Sequence, residues 1–324
     1  MITENSFEDE NVERAAGRPR LALIAGPTAS GKSDLAVKLA LRAMARGQEA
    51  VIVNADSAQV YADLRLLSAR PSEAEMQGVP HLLFGAWDGA QACSAADWAK
   101  AARIEITAAH ARGALPILVG GTGLYIRTLL DGIAPVPDID PDVRTQVRAM
   151  PLDIAYAQLQ AEDPARAALL APADAQRITR ALEVVRSTGR PLAHWQRQLH
   201  GGIANTVDLA PLILLPDRQW LYDRCDLRFA LMWQGGAIEE VEALLARNLP
   251  DDLPVMRAIG VPEIRAFLQG AMAPDEAITA GQQATRRYAK RQYTWSRNQN
   301  PGDWPRVTYE NSIDIDHAAS LLRI

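Results

Sequence analysis

Gly26-Pro27-Thr28-Ala29-Ser30-Gly31-Lys32-Ser33 (GPTASGKS) decides the fold of this chain. The octapeptide matches G-x-x-x-x-G-K-[ST], and its flanks matter as much as its letters. Before it lies a short apolar run, residues 21–25 (LALIA), which reads as a buried parallel strand. After it, residues 32–46 carry Leu35, Leu39 and Ala43 at four-residue spacing, an amphipathic helix stopped by Gly47. A strand that feeds a glycine loop and opens a helix is a phosphate cradle. The glycines let backbone N–H groups turn inward. The helix N-terminus adds partial positive charge. Lys32 adds a full charge, and the Ser33 hydroxyl is placed to ligate Mg²⁺. The loop therefore predicts binding of a polyphosphate and leaves open which one. ATP and a pyrophosphate-bearing metabolite would use the same cradle.

Working outward, residues 50–54 (AVIVN) read as a second buried strand, and residues 94–112 as a helix closed by Gly113. Residues 115–119 (LPILV) read as a third strand that runs into Gly120-Gly121-Thr122-Gly123-Leu124-Tyr125. This alternation predicts an α/β fold, a P-loop parallel sheet with flanking helices. Residues 133–142 (IAPVPDIDPD) have linker texture. Beyond them the chain is rich in alanine and arginine to residue 200 with no convincing strand, so a mostly helical insertion is expected. Residues 211–215 (PLILL) return to the sheet, and 217–247 and 274–297 read as long helices. The expected organisation is a disordered tail over 1–19, the P-loop core over 20–135 and the insertion over 136–205. The core's return strand and C-terminal helices follow over 206–324.

The 324 residues suffice for one α/β core and a smaller module, and the 48% hydrophobic and 23% charged content is ordinary for a packed domain. Cys93 and Cys225, far apart, make neither a disulfide framework nor a zinc cluster and fit a reducing compartment. The polar, acidic N-terminus lacks the apolar centre of a signal peptide, and no apolar run approaches the roughly 20 residues that span a bilayer. A cytoplasmic protein away from membranes is expected, and nothing in the sequence asks for a partner subunit, so a monomer is expected. A net charge of −5 argues against a protein coated in nucleic acid, though not against a local basic groove.

Two segments carry further chemistry. Asp56-Ser57-Ala58-Gln59-Val60-Tyr61 follows the second strand, at the carboxyl edge where open α/β sheets bind ligands. Asp56 there is a Mg²⁺ ligand, a general base or an Asx turn closing the strand. The third strand ends in glycines rather than in the aspartate of many ATPases, which weighs against ATP hydrolysis. Near the C-terminus, residues 286–297 hold Arg286, Arg287, Lys290, Arg291 and Arg297 with Tyr288, Tyr293 and Trp295 and no acid. On a helix, Arg286, Lys290, Tyr293 and Arg297 share a face. That is either a phosphate-tracking stripe with interleaved aromatics or a solvated basic face over packed rings.

The ordered set is larger than these motifs. It continues with Gln176-Arg177-Ile178-Thr179-Arg180, Thr188-Gly189-Arg190-Pro191, Asp217-Arg218, Met256-Arg257-Ala258-Ile259-Gly260 and Ala289-Lys290-Arg291-Gln292 through Trp295. Taken together, from residue 21 to residue 297, it resembles the tRNA dimethylallyltransferase family. The resemblance implies transfer of a dimethylallyl group from its diphosphate to the exocyclic amine of an adenine beside the anticodon. It implies that Asp56 orients the amine and takes its proton, and that Thr28 and Thr122 position the reacting groups. The loop from Gly26 to Ser33 and Arg228 would hold the diphosphate, with Mg²⁺ on Ser33. It also implies a tRNA surface formed by Asp56, Ser57, Ala58, Gln59 and Thr122 at the site, with Arg144 and Gln176 through Arg180 in the insertion. Met256 through Gly260, and Arg286, Lys290, Arg291, Gln292, Trp295 and Arg297, would complete it. The chain departs from the family pattern at Leu67-Ser68-Ala69-Arg70-Pro71, at His81-Leu82 in place of a His-His pair, and at Val261-Pro262.

Three other readings share the P-loop. A small-molecule or nucleotide kinase would use insertion arginines such as Arg166, Arg177 and Arg186 as a lid. A prenyltransferase acting on free AMP would use the same donor. A binding module without catalysis would keep only the cradle.

Overall fold

The computed structural model describes residues 17–324. All but the last three residues of the expected tail, 1–19, lie outside the described residues. Among the described residues eight strands are formed: β1 (Arg20–Ala25), β2 (Ala50–Asn54), β3 (His81–Leu82), β4 (Leu115–Gly120), β5 (Gly132–Ile133), β6 (His200–Gly201), β7 (Asp208–Leu214) and β8 (Arg306–Val307). Six of them make one sheet in the order β3-β2-β4-β1-β7-β8, and every pairing in it is parallel. β2 and β4 are buried at every position and β1 at all but its first, which is why their sequences are continuous apolar runs rather than alternating ones.

The register positions the site. Ala25 pairs with Gly120 and with Ile213, and Asn54 pairs with Val119. The strands end level, so the loops after β1, β2 and β4 emerge side by side at the carboxyl edge. β4 lies between β2 and β1, so the connections there leave a crevice of the kind that binds ligands.

Helices close both faces. Helix Lys32–Ala45 buries Leu35, Leu39 and Ala43 as the spacing predicts. Helix Ala95–Ala111 starts at a capping box in which Ser94 Oγ accepts the Asp97 N–H at 3.1 Å and the Asp97 carboxylate accepts the Ser94 N–H at 3.3 Å. Its Trp98 is fully buried, donates its indole N–H to the Asn54 carbonyl at 2.8 Å and stacks on Tyr125 at 4.5 Å. Truncating such a side chain costs about 3–5 kcal/mol.

Three features differ from the pattern reading. The segment 217–247 is two helices, Arg218–Gln234 and Ala237–Ala246, because Gly235-Gly236 break it and Gly236 takes φ 110°. β3 and β8 are two-residue edge strands, too short to show a period. The helical stretch ends in β6, which pairs antiparallel with β5.

The chain forms two compact units. One runs up to Leu129 and resumes over Ile203–Ile324; the other is Leu130–Gly202. The second packs helices Pro141–Ala149, Leu152–Glu162 and Ala175–Thr188 around Val147, Leu159, Ile178 and Leu182. Inside it, the Glu183 carboxylate is buried and paired with Arg148 at 2.9 Å and Arg180 at 3.8 Å. Among the described residues, no helix is long and apolar enough to cross a membrane.

Candidate active site

The phosphate loop is held in a sparsely populated backbone conformation from several sides. Gly31 takes φ 82° just before the helix, where a side chain would strain the turn. Ala29 also sits at positive φ, 62°, and is packed against Leu221, Cys225 and Ala289. Arg224 Nε donates to the Ala29 carbonyl at 3.1 Å, and the Tyr309 hydroxyl donates to the Ser30 carbonyl. Lys32 is buried, and its ammonium donates to the Pro27 carbonyl at 3.3 Å. Burial lowers its pKa below that of an ordinary lysine, with the Asp56 carboxylate opposing the shift and the Arg228 charge adding to it. Arg228, on helix Arg218–Gln234, donates to Thr28 Oγ1 at 2.6 Å and is likewise lowered mainly by burial. Two desolvated cations thus face the cradle.

The loop after β2 is set by Asn54. Its side-chain carbonyl accepts the Asp56 N–H at 2.9 Å, while its amide donates to the Asp56 and Leu83 carbonyls at 3.1 Å each. Asp56 is 5% exposed, and its Oδ1 accepts the Ala58 N–H at 3.0 Å. An Asx turn is therefore present, and it engages one carboxylate oxygen. Beside it, Thr122 Oγ1 accepts the Ser57 N–H at 2.9 Å and donates to Ser57 Oγ at 3.2 Å. Tyr288 lines the same cavity, and burial together with the Asp56 charge raises its pKa above that of an ordinary tyrosine.

Thr28, Asp56, Ser57, Arg228 and Tyr288 line one cavity of about 300 Å³, whose remaining wall includes Tyr61, Leu67, Tyr125, Phe229, Met232 and Ile259. The loop bearing Leu67 is fixed by Glu240, whose carboxylate accepts the N–H groups of Arg65, Leu66 and Leu67 at 2.6, 2.8 and 2.9 Å. Gln59 holds the same loop by donating to the Ser68 and Ala69 carbonyls at 3.0 and 2.8 Å. Arg70 donates to the Tyr61 carbonyl at 3.3 Å, and His81 Nδ1 lies 2.8 Å from the Val79 carbonyl, on the sheet's edge strand.

The residues expected on an RNA surface fall into different environments. Arg257, Ala258 and Ile259 line the cavity, as does Arg291, whose guanidinium lies over the Tyr288 ring at 5.7 Å. Lys290 and Arg297 are exposed on helix Pro274–Asn298. Arg286 on the same helix is ion-paired with Asp226, and Tyr293 lies under Arg218 at 4.9 Å. Gln292 is buried, and its Oε1 accepts the Thr28 N–H at 2.7 Å. The Trp295 ring lies against Gly123, and Met256 and Gly260 are buried. In the second unit, Arg144, Gln176 and Arg177 are exposed, Arg177 pairs with Asp174, Thr179 and Arg180 are half-buried, and Ile178 is a core residue.

Asn54, Tyr288 and Glu240 were not marked by sequence pattern. Asn54 could have been, since an Asn two residues before an Asp at a strand end is the signature of a side-chain-stapled turn. Among the described residues no cluster of three His, Cys, Asp or Glu side chains forms a metal cage. A magnesium ion that keeps its waters and shares the substrate's phosphates fits this donor set, with the half-buried Ser33 hydroxyl as the protein's contribution.

A phosphate loop holding the buried Lys32, with its Thr28 and the half-buried Arg228 lining the same cavity as a single buried carboxylate, Asp56, defines a P-loop enzyme. The family model for IPP transferase matches residues 59–299. The chain is 79% identical over 281 residues to the tRNA dimethylallyltransferase of Novosphingobium aromaticivorans, covering 87% of this chain and 100% of that one. It is 65% identical over 290 residues to the tRNA dimethylallyltransferase of Erythrobacter litoralis, covering 90% and 92%. The full-length tRNA isopentenylpyrophosphate transferase from Bacillus halodurans has the same fold, with TM-score 0.67 and 32% identity over 94% of this chain and 97% of that one. A eukaryotic dimethylallyltransferase acting on tRNA gives TM-score 0.75 and 25% identity over 90% and 74%. The chain belongs to the IPP transferase family.

Proposed function

We infer that this chain transfers the dimethylallyl group of dimethylallyl diphosphate to the exocyclic amine of the adenine 3′-adjacent to the anticodon of tRNA, releasing diphosphate. The observation that carries this reading is that Thr28 of the phosphate loop and the Arg228 that holds it line one cavity with the Asp56 carboxylate, and that much of its wall is apolar. In the reaction the bond between the allylic carbon and the diphosphate oxygen breaks, and a bond from the amine nitrogen to that carbon forms. Lys32, Arg228 and the loop N–H groups face the charge that develops on the leaving diphosphate. Thr28, held by Arg228, lines the cavity together with Asp56. The free oxygen of Asp56 orients the amine and takes its proton, a contribution of about 10²–10⁴ in rate.

The adenine would have to leave its stack to reach this carboxylate, as bases do for enzymes that work on single-stranded loops. Exposed Lys290 and Arg297 on the helix that borders the cavity supply phosphate contacts. Mg²⁺, bound through Ser33 and the donor's phosphates, would neutralise charge on the leaving group. A cytoplasmic monomer is the working state of this reading.

The test is incubation of the purified protein with Mg²⁺, labelled dimethylallyl diphosphate and unmodified tRNA, with ATP as a phosphoryl-donor control and free AMP as an acceptor control. Label at the adenine next to the anticodon is the expected result. Label only on AMP, or phosphoryl transfer from ATP without label in tRNA, overturns it.

A further inference from the structure

The apolar wall of the cavity begins one residue from the arginine that holds the phosphate loop. Arg228 donates to Thr28, and Phe229 and Met232 on the same helix, Arg218–Gln234, line the cavity with it. Met232 stands four residues beyond Arg228 on the same helix face, a rise of about 6 Å. A donor whose diphosphate meets Arg228 and whose reacting carbon faces Asp56 has this face for its hydrocarbon tail. The helix then stops at Gly235-Gly236, and residues 65–68 close that end. Leu66 Cδ2 lies 4.0 Å from where a Cβ on Gly235 or Gly236 would stand. Leu67 lines the cavity, and its Cδ2 lies 2.6 Å from where a Cβ on Gly260 would stand, with the Phe229 ring 3.4 Å from the same point. The Phe229 ring is seated in turn against Gly281 of helix Pro274–Asn298, where no side chain would fit beside it. The missing side chains at these glycines are what let Leu66, Leu67 and Phe229 pack into one wall.

We propose that Leu66 and Leu67 are a plug that limits the prenyl chain of the donor to one isoprenyl unit, and that Glu240 is the positioning residue that holds the plug. The loop is fixed by its backbone. The Glu240 carboxylate accepts the N–H groups of Arg65, Leu66 and Leu67, and Gln59 donates to the carbonyls of Ser68 and Ala69. A five-carbon tail that starts at Arg228 ends beside Met232, whereas a ten-carbon tail on the same path runs into Leu67. Making room for it means forcing methylenes into a packed wall or breaking the hydrogen bonds that hold the loop. The longer donor would react by the same exchange of a carbon–oxygen for a carbon–nitrogen bond, with diphosphate leaving and the proton passing to Asp56. Its rejection is therefore a matter of fit and not of reactivity.

The inference deepens the transfer reaction proposed above and rests on it. Wild type and Leu67→Ala are given equimolar dimethylallyl diphosphate and geranyl diphosphate, its ten-carbon homologue, with Mg²⁺ and unmodified tRNA. Mass spectrometry of the digested tRNA counts the two products, and their ratio is the ratio of kcat/KM values whatever the amount of active protein. Wild type is expected to transfer the five-carbon group almost exclusively. Leu67→Ala is expected to raise the ten-carbon share about tenfold or more. Glu240→Ala, with Leu67 in place, is expected to raise it too, which a loss of folded protein alone does not do. Leu67→Val removes less of the wall; it should move the ratio the same way by a smaller factor, and it serves where the alanine variant does not fold. Equal use of both donors by wild type, or a ratio unchanged in the Leu67 variants, overturns the plug; a ratio unchanged in Glu240→Ala overturns the role of Glu240. Failure of wild type to transfer either group sinks the reaction and the plug with it, whereas transfer by wild type with an unchanged ratio in the variants sinks the plug alone.

Discussion

The side-chain carbonyl of Gln292 accepts the backbone N–H of Thr28 at 2.7 Å, joining the phosphate loop to a helix 264 residues away. The other end of this amide, Nε2, is buried without a hydrogen-bond partner and lies against Gly121, where an added Cβ would come within 2.3 Å of it. The Thr28 N–H fixes the orientation, since a flipped amide would set donor against donor. Gln292→Leu leaves a buried N–H unpaired. It is expected to lower unfolding free energy by about 1–3 kcal/mol and to raise KM for the donor. Gln292→Glu keeps an acceptor but brings a negative charge to the cradle, so KM for the donor should rise with less loss of stability. Chemical denaturation and steady-state kinetics on both variants distinguish the two; equal effects on stability and KM in the pair would remove Gln292 from the donor site.

Asp56→Asn retains the oxygen that accepts the Ala58 N–H and so keeps the turn, while it removes the base. Turnover is expected to fall about 10²-fold or more. Donor affinity, measured separately by calorimetry, is expected to stay near the wild-type value. Transfer surviving within about tenfold would exclude the general-base role.

Lys32 gives a pH dependence with a definite sign. Its ammonium is destabilised by burial, so in the free protein the charge is lost as pH rises, starting below the ordinary value of 10.5. A bound diphosphate favours the charged form, so binding should take up protons on the alkaline side, and donor affinity should fall as pH rises through the lowered pKa. Lys32→Arg stays charged and should flatten that limb. Calorimetric titrations in buffers of different ionisation enthalpy read the proton uptake directly; its absence in wild type would remove Lys32 from the diphosphate contacts.

The basic residues of helix Pro274–Asn298 should separate into two groups. Lys290 and Arg297 are exposed, so replacing either by Ala should weaken tRNA binding at all sequences and reduce the slope of log affinity against log salt by up to about 1. Arg286 is committed to Asp226, so Arg286→Ala should leave the salt slope unchanged and lower stability instead. Filter binding over a range of salt concentrations decides it, and a common slope for all three variants would reject the division.

Much of this fold was legible because its strands are buried on both faces and its first helix follows a glycine loop, two situations that leave strong local patterns. Residues 50–54 were read with their observed bounds for that reason. The break at Gly235-Gly236 was not, since the flanking helices have compatible patterns and only the pair of glycines marks the joint. In the site, Asp56 and the cradle stand out because their positions at strand ends restrict what they do. Gln292 did not: its sequence neighbours Lys290, Arg291 and Arg297 are basic and exposed, and nothing local says that this one position turns inward. Ile178 lies within a run that resembles an RNA-contacting motif, yet its apolar side chain fills the core of its own unit. Tyr288 was visible only as one aromatic among several, because Asp56 and Ser57, with which it lines the cavity, are more than 200 positions away in sequence.

The 25-residue helix Pro274–Asn298 meets the site through Tyr288, which lines its cavity, Gln292, which holds the phosphate loop, and Trp295, which lies against Gly123. Each residue added to an α-helix turns everything beyond it by about 100°. A single insertion or deletion between positions 288 and 295 would therefore swing one anchor off its loop while leaving another in place, and no compensating change elsewhere restores both. Among relatives of this chain, that stretch should vary freely in its outward-facing residues and not at all in its length.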